Sequence, residues 1–178
     1  GRFDVLSARL EAPAVWLAQS LTPAQINHLA LKFGKTNAEW QDKWLRGTAP
    51  ERLERRLKQT VERYELLYGT LDPAQTEMLR TALARAGDPA PAWWAERLRR
   101  QQDILRTLRQ LSAGNLPPEA ARASLHALLG RLTTAPDPAV RAASDAALRE
   151  NCAVFARVHN ASAPTQRARA VETLKNYE

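Results

Sequence analysis

The sequence predicts an all-α fold of about eight helices in a single bundle-like domain. Isoleucine occurs only at Ile26 and Ile104 among 178 residues, while alanine and leucine dominate, and this composition favours helices over sheets. Most of the 11 prolines stand at the starts of amphipathic segments rather than inside them. The connections between these segments are short, so we expect sequential helices to pack as antiparallel neighbours in one domain over residues 1–178.

Capping sequences mark the starts of the helices. Thr22, Thr48 and Asp72 each precede an amphipathic segment, with a proline in its first turn and a Gln or Glu three residues after the capping residue. Asp137-Pro138 predicts a further start. Ala163-Pro164 predicts a weaker one, because alanine has no side-chain oxygen that could cap a helix.

Glycines mark several of the helix ends. Gly47, Gly69, Gly87 and Gly114 directly follow amphipathic segments, where the chain has to take the left-handed conformation that glycine adopts most easily. Pro13 is expected to kink or split the first helix. Starts and ends together predict helices over residues 3–19, 22–46, 49–68, 73–86, 90–113, 117–133, 138–159 and 164–177.

Three polar side chains fall inside the predicted apolar faces. A rotation of 100° per residue places Asn37 in the stripe of the second helix, Arg97 in that of the fifth and Asn151 in that of the seventh. Buried amide and guanidinium groups need hydrogen-bond partners, so the three could form a polar pocket. They could equally belong to a network that specifies packing, or Arg97 could extend to water along its methylene stem.

The third helix carries its arginines along one edge. Arg52, Arg55, Arg56 and Arg63, named here the arginine row, flank an apolar stripe whose other edge is rich in glutamate. Such a row could bind phosphate groups or an acidic protein segment. It could also be a solvated edge that pairs with a neighbouring helix of opposite charge.

Two adjacent tryptophans are further candidate binding residues. Trp93 and Trp94 are 100° apart on a helix, so they cannot both face a core, and one of them should lie at an edge or in a groove. An exposed tryptophan could contact an apolar ligand. The candidate binding residues are therefore Trp93, Trp94, Arg97 and the arginine row.

No arrangement of residues in the sequence indicates catalysis or metal binding. His28, His126 and His159 lie on different predicted helices, and Cys152, the one cysteine, is seven residues from His159. Gly-rich phosphate loops and G-x-S-x-G motifs are absent. The carboxylates fall mainly beside arginines on faces expected to be exposed, where each should keep an ordinary pKa. We therefore expect a protein without catalytic residues, a cofactor or a metal.

The chain is strongly basic, with a formal net charge of +7 and a pI near 10.2. This balance would attract anionic partners, and nucleic acid is one alternative. The positive charge is spread along the chain, however. The sequence has no block of five or six basic residues, which would favour binding to nucleic acid. No apolar run approaches the roughly 18 residues of a membrane-spanning helix.

Four stretches of the sequence carry a resemblance to a known family. They are residues 29–40, 62–75, 95–101 and 152–171. In this order they resemble a family of uncharacterised proteobacterial proteins that are predicted to be lipoproteins. The resemblance implies a longer protein with an N-terminal lipobox signal, a lipid anchor and a domain that faces the periplasm. It implies no catalytic or binding residue.

Residues 21–25 read L-T-P-A-Q, and residues 71–75 repeat the pattern with aspartate in place of threonine. This pattern has a looser likeness to the L-T-x-x-Q motif of small periplasmic chaperones related to Spy and CpxP. A proline-started helix with a capping box produces the same pattern. Together these features lead us to expect a non-enzymatic binding module of the cell envelope, which holds a protein or lipid partner in an arginine-flanked groove with exposed aromatic edges. The alternative is a nucleic-acid-binding helical domain.

Overall fold

The structure, a computed structural model, describes residues 12–176 and consists of helices joined by short connections. Within these residues there are eight helices and no strand, so the predicted all-α fold class is confirmed. The helices are α1 (residues 12–20), α2 (Pro23–Trp44), α3 (Ala49–Tyr68), α4 (Pro73–Arg85), α5 (Ala90–Ser112), α6 (Pro118–Thr133), α7 (Pro138–Ala161) and α8 (Pro164–Lys175).

The predicted bounds of α2 to α8 agree with the structure to within two residues. The part of the first helix predicted over residues 3–11 lies outside the described residues. The predicted kink at Pro13 involves these same residues, so it stays a prediction. No helix among the described residues is long and apolar enough to cross a bilayer.

The predicted capping boxes form. At the start of α2, the Thr22 hydroxyl accepts from the amide of Gln25 at 3.2 Å, and the Gln25 side chain accepts from the amide of Thr22 at 2.9 Å. The same reciprocal pair joins Thr48 to Glu51 and joins Asp72 to Gln75. Each box satisfies amide groups that a helix start leaves without an intrahelical partner.

The helix ends follow the predicted glycines. Gly47, Gly69, Gly87 and Gly114 have φ angles of 86°, 78°, 71° and 73°, in the left-handed region that residues with a Cβ rarely adopt. Each stands one to three residues after a helix, where it lets the chain turn away.

The chain divides into two compact units. The first unit comprises residues 1–43 and 92–138, and it contains α1, α2, α6 and most of α5. The second unit comprises residues 44–91 and 139–178, and it contains α3, α4, α7 and α8. Each unit is assembled from two separate stretches of the chain, so neither is a segment that ends at a linker. A single domain over residues 1–178 stays a prediction.

Each unit has its own buried apolar cluster. In the first unit, Val15 and Ala18 of α1 pack with Leu111 of α5 and with residues of α6 such as Leu125. In the second unit α3 packs along both α4 and α8. The buried residues of this second cluster are Leu57, Tyr68, Leu71, Leu79, Ala82, Val154, Val158 and Ala170.

A pair of glutamine side chains lies within the second unit. Gln75 and Gln166 exchange two amide hydrogen bonds, of 3.0 and 3.1 Å, and Gln166 also donates to the carbonyl of Thr70 at 2.9 Å. Gln75 is almost completely buried, and these bonds satisfy the polar atoms that its burial removes from water. The sequence indicated Gln75 only as a capping residue.

Candidate binding groove

A cavity of about 480 Å³ lies within the second unit, between α3, α4 and α7. It is named here the groove. Its apolar lining consists of Tyr64 from α3, Leu79, Ala82 and Leu83 from α4, Ala86 just after α4, and Val154 and Phe155 from α7. Its polar lining consists of Arg56, Thr60 and Arg63 from α3, and Glu150, Asn151 and Cys152 from α7.

The spacing of residues explains how two of the helices face the groove. On α3 the lining residues lie four, seven and eight positions after Arg56, which places them on the same helix face as Arg56. They are Thr60, Arg63 and Tyr64. On α7 the residues from Glu150 to Phe155 line the groove with the exception of Ala153, which points to the opposite side of the helix.

Aromatic rings connect the groove to the buried cluster beneath it. The ring of Phe155 lies 5.9 Å from that of Tyr64 and 6.0 Å from that of Tyr68, measured between centroids. Tyr68 is fully buried, and its hydroxyl shares a hydrogen bond of 2.9 Å with Nδ1 of His159. Burial raises the pKa of Tyr64, so this phenol stays neutral in the groove wall. Phe155 remains 44% exposed and presents apolar surface to the groove.

The uncompensated charge at the groove is positive. Arg63 is exposed, and among the described residues it has no hydrogen-bond or ion-pair partner. Arg56 donates to the backbone carbonyl of Gly87 at 2.5 Å and has no carboxylate in ion-pair contact within the described chain. Glu150, the carboxylate of the lining, accepts a hydrogen bond of 2.9 Å from Arg157, which offsets its charge. An anionic group would therefore find guanidinium partners at this site.

The arginine row is mostly occupied by structural contacts. Arg52 forms an ion pair of 2.7 Å with Asp88 and donates to the carbonyls of Leu45 and Gly47. Arg55 donates to the carbonyl of Arg46. Together with the bond from Arg56 to Gly87, these contacts satisfy carbonyl groups in the connections that follow α2 and α4. They favour the structural interpretation of the row, with Arg63 as the member that remains available to a ligand.

Two of the three predicted buried polar residues meet, both within the first unit. Nε of Arg97 donates to Oδ1 of Asn37 at 2.8 Å, and Asn37 and Gln101 exchange side-chain hydrogen bonds of 2.7 and 2.9 Å. Arg97 also donates to the hydroxyl of Thr36 at 3.2 Å. Asn37 and Arg97 are half-buried rather than fully buried, and their polar groups satisfy each other. This arrangement matches the packing network that the sequence left open as an alternative.

The prediction that Asn151 is buried is wrong. Asn151 is exposed and lines the groove of the second unit, whereas Asn37 and Arg97 belong to the first. On α7 only Val154 and Val158 of the predicted stripe are buried, and Ala143 and Ala147 are exposed. Among the described residues, the apolar face of α7 is therefore buried only in the C-terminal half of the helix. Asn151 lies just before the first of these buried residues, Val154.

The two adjacent tryptophans differ in exposure, as expected from their positions 100° apart on the helix. Trp94 is half-buried and stacks on Trp40 with the ring centroids 5.4 Å apart, while Trp93 is 52% exposed. Both lie in the first unit and do not line the groove.

The expectation that the carboxylates keep ordinary pKa values is wrong for three acids. One is Glu51 of the second unit, where hydrogen bonds from the amide and the hydroxyl of Thr48 lower the pKa. The other two belong to the first unit. Asp103 is 1% exposed, and hydrogen bonds from Arg131 and Arg106 lower its pKa from 3.8 to about 2. Hydrogen bonds from Arg99 and Arg100 likewise lower the pKa of Glu96 from 4.5 to about 2. These contacts stabilise the charged forms, so the two acids form a structural ion-pair network.

The groove lining was only partly visible in the sequence. Arg56, Arg63 and Asn151 stand out in the sequence as polar residues beside or within an apolar stripe. Leu79, Leu83 and Phe155 have no feature in the sequence that distinguishes them from core residues of separate helices. A periodic pattern shows which residues share a helix face, and it cannot show that the faces of α3, α4 and α7 leave a space between them. Among the described residues, no group of three or more His, Cys, Asp or Glu side chains could hold a metal ion.

Comparison with known proteins identifies the chain at the level of a family. The model of DUF6279, a family of unknown function, matches residues 2–131, which include α3 and α4 of the groove but not α7. No curated protein and no solved structure is significantly similar to the chain. The chain therefore belongs to DUF6279, a family of unknown function.

Proposed function

We propose that this protein is a non-enzymatic binding module of the bacterial cell envelope that holds an apolar part of a protein or lipid partner in the groove. One observation carries the proposal: the groove combines an apolar lining with the exposed ring of Phe155 and the unpartnered guanidinium group of Arg63, counted over the described residues. An apolar concave surface in contact with water gains free energy when a ligand covers it.

The polar side chains of the groove suit contact with a ligand. They supply an amide from Asn151, a hydroxyl from Thr60, a thiol from Cys152, two guanidinium groups and a carboxylate that already pairs with Arg157. Such groups orient a ligand and give specificity at the edge of an apolar site. Trp93 and Trp94, the aromatic residues that the sequence offers for such a groove, do not line it, and Phe155 supplies its exposed ring.

The envelope location depends on the resemblance to predicted lipoproteins. A lipid-anchored domain in the periplasm would meet unfolded proteins and lipids in transit, and both expose apolar surface. A chaperone-like holding activity would use the groove in the same way for an unfolded client.

The contacts of the arginine row reduce the support for nucleic-acid binding. Arg52, Arg55 and Arg56 donate to backbone carbonyls, which leaves fewer free guanidinium groups for phosphates than the sequence suggested. Binding to nucleic acid should weaken steeply as salt rises, so a fluorescence titration with duplex and single-stranded DNA tests this alternative. Absence of binding at low salt would eliminate it.

The proposed function is tested by suppression of aggregation of a chemically unfolded client, at low and at high salt. Asn151→Trp places a large side chain at the centre of the groove face of α7. Ala153→Trp places the same side chain on the exposed opposite face and serves as the matched control. We expect suppression by the natural protein that persists at high salt, is lost in Asn151→Trp and is kept in Ala153→Trp.

Two results would contradict the proposal. Suppression that disappears with salt would reflect only the net charge of +7. Equal suppression by both tryptophan variants would place the activity elsewhere on the protein.

A further inference from the structure

We propose that the occupant of the groove is a free fatty acid, with its acyl chain along the apolar lining and its carboxylate at Arg63. The inference rests on the proposed function, since it names the class of ligand that the same groove would hold.

The size of the groove suits a single acyl chain. Its volume of about 480 Å³ lies within the roughly 300–1,000 Å³ of small-molecule sites.

The charge at the groove favours an anionic head on that chain. Arg63 is exposed without a partner in the described chain, and Arg56 stands on the same face of α3 two turns earlier. Glu150 pairs with Arg157, so the carboxylate of the lining does not repel a second anion strongly. A guanidinium group can donate two parallel hydrogen bonds to a carboxylate, which fits a fatty acid and does not fit a neutral alcohol or ester.

The lining of the groove also separates chain from head. Tyr64, Leu83 and Phe155 keep apolar surface accessible and would contact methylene groups. The exposed Arg63 and Asn151 supply polar groups for the head. A fatty acid in this orientation keeps its carboxylate close to water and to Arg63. Burial of the acyl chain supplies most of the affinity, because each methylene group that leaves water makes binding more favourable.

Cys152 supplies a built-in reporter for occupancy. It is the one cysteine of the chain, it is exposed and it lines the groove. A ligand in the groove should therefore slow the reaction of this thiol with a neutral alkylating reagent such as N-ethylmaleimide, which intact mass measures directly. The reagent carries no charge, so the arginines do not attract it. Because a nearby guanidinium group can change the reactivity of a thiol, protection is measured relative to the ligand-free rate of the same variant.

The experiment measures the alkylation rate in the presence of dodecanoate below its micelle concentration, with 1-dodecanol as the neutral ligand. We expect dodecanoate to slow alkylation about tenfold or more at saturation. Dodecanol should need at least about ten times the concentration for the same protection, because it lacks the charge that Arg63 recognises.

Two arginine variants test the position of the carboxylate. Arg63→Gln should raise the dodecanoate concentration for half-protection about tenfold. Arg149→Gln removes the same charge from an exposed position of α7 outside the groove lining and should leave that concentration unchanged. Circular dichroism of both variants checks that they keep the helical fold.

Each contrary result overturns a defined part of the account. Equal protection by dodecanol, or equal loss in both arginine variants, would overturn the role of Arg63 and with it the fatty acid. Absence of protection by dodecanoate, with protection by an unfolded client, would overturn the fatty acid and leave the proposed function standing. If neither dodecanoate nor the unfolded client protects Cys152, both the fatty acid and the proposed function are overturned.

Discussion

The rings of Tyr64 and Phe155 lie 5.9 Å apart between centroids and are tilted by 42°, so an aromatic contact joins α3 to α7 within the groove wall. Because Phe155 keeps 44% of its surface exposed, only part of its apolar area contributes to folding. The remainder is available to a ligand. The same contact that holds two helices together therefore also shapes the proposed binding surface.

The arginine row should separate into structural and ligand-facing members. Arg52→Ala removes an ion pair with Asp88 and two bonds to backbone carbonyls at a largely buried position, and we expect it to lower the free energy of unfolding by about 2 kcal/mol. Arg63→Ala should change that free energy by less than about 0.5 kcal/mol, as is usual for exposed side chains. Urea denaturation of both variants measures the difference. Similar losses in the two would contradict this division.

Asp103 should be a major determinant of stability in the first unit. Asp103→Asn removes the charge that pairs with Arg131 at 2.7 Å and with Arg106 at 2.8 Å, whose guanidinium groups remain in contact with water. We expect a loss of about 2 kcal/mol in the free energy of unfolding, the range for hydrogen bonds to a buried charged group. Asp145→Asn, at an exposed position of α7, is the control and should be neutral within about 0.5 kcal/mol. A neutral Asp103→Asn would show that the network adds no stability.

The same ion pairs predict how stability depends on acid. The folded protein holds the pKa of Asp103 and of Glu96 at about 2, below their ordinary values of 3.8 and 4.5. A lowered folded pKa contributes stability that is present above the ordinary pKa and is lost as the pH falls through the folded pKa. The free energy of unfolding should therefore decrease from about pH 4.5 towards pH 2, with about 2 kcal/mol of the decrease due to Asp103.

Chemical denaturation between pH 6 and pH 2 measures this decrease. Asp103→Asn should show a shallower decrease than the natural protein, because one group that takes up a proton on unfolding has been removed. Parallel curves for the two proteins would contradict the assignment of the low pKa to Asp103.

Local features of the fold were predictable because they depend on neighbours in the sequence. The capping boxes at Thr22, Thr48 and Asp72 and the left-handed glycines need only residues three or four positions apart, and all of them form as expected. The helix bounds follow from the same signals.

Burial on α5 shows why the rest was not predictable. Beyond Ala90 at the start of this helix, its buried residues are Asp103, Thr107 and Leu111, which recur every four residues, and two of the three are polar. A search for apolar stripes passes over such a face. Asp103 is stabilised there by Arg131, which lies 28 residues away on α6. The pairing depends on tertiary structure, which the periodicity of one helix does not contain.

The groove was hidden for a similar reason. In the sequence, Arg56 and Arg63 are charged residues at the edge of one helix, and Asn151 interrupts the apolar stripe of another. They share the groove only because α3 and α7 both lie beside α4 in the fold. Two members of the arginine row thus line the groove, while Arg52 and Arg55 donate hydrogen bonds to backbone carbonyls.

The most direct test of the groove as the binding site is amide chemical-shift mapping with an apolar anion. 1-Anilinonaphthalene-8-sulfonate, titrated into the isotope-labelled protein, should shift amides on the three helices that form the groove, in residues 56–64, 79–86 and 150–155. Asn151→Trp should abolish these shifts, and Ala153→Trp should keep them. Shifts confined to other surfaces, such as the one around the exposed Trp93, would contradict the central claim that the groove receives the apolar partner.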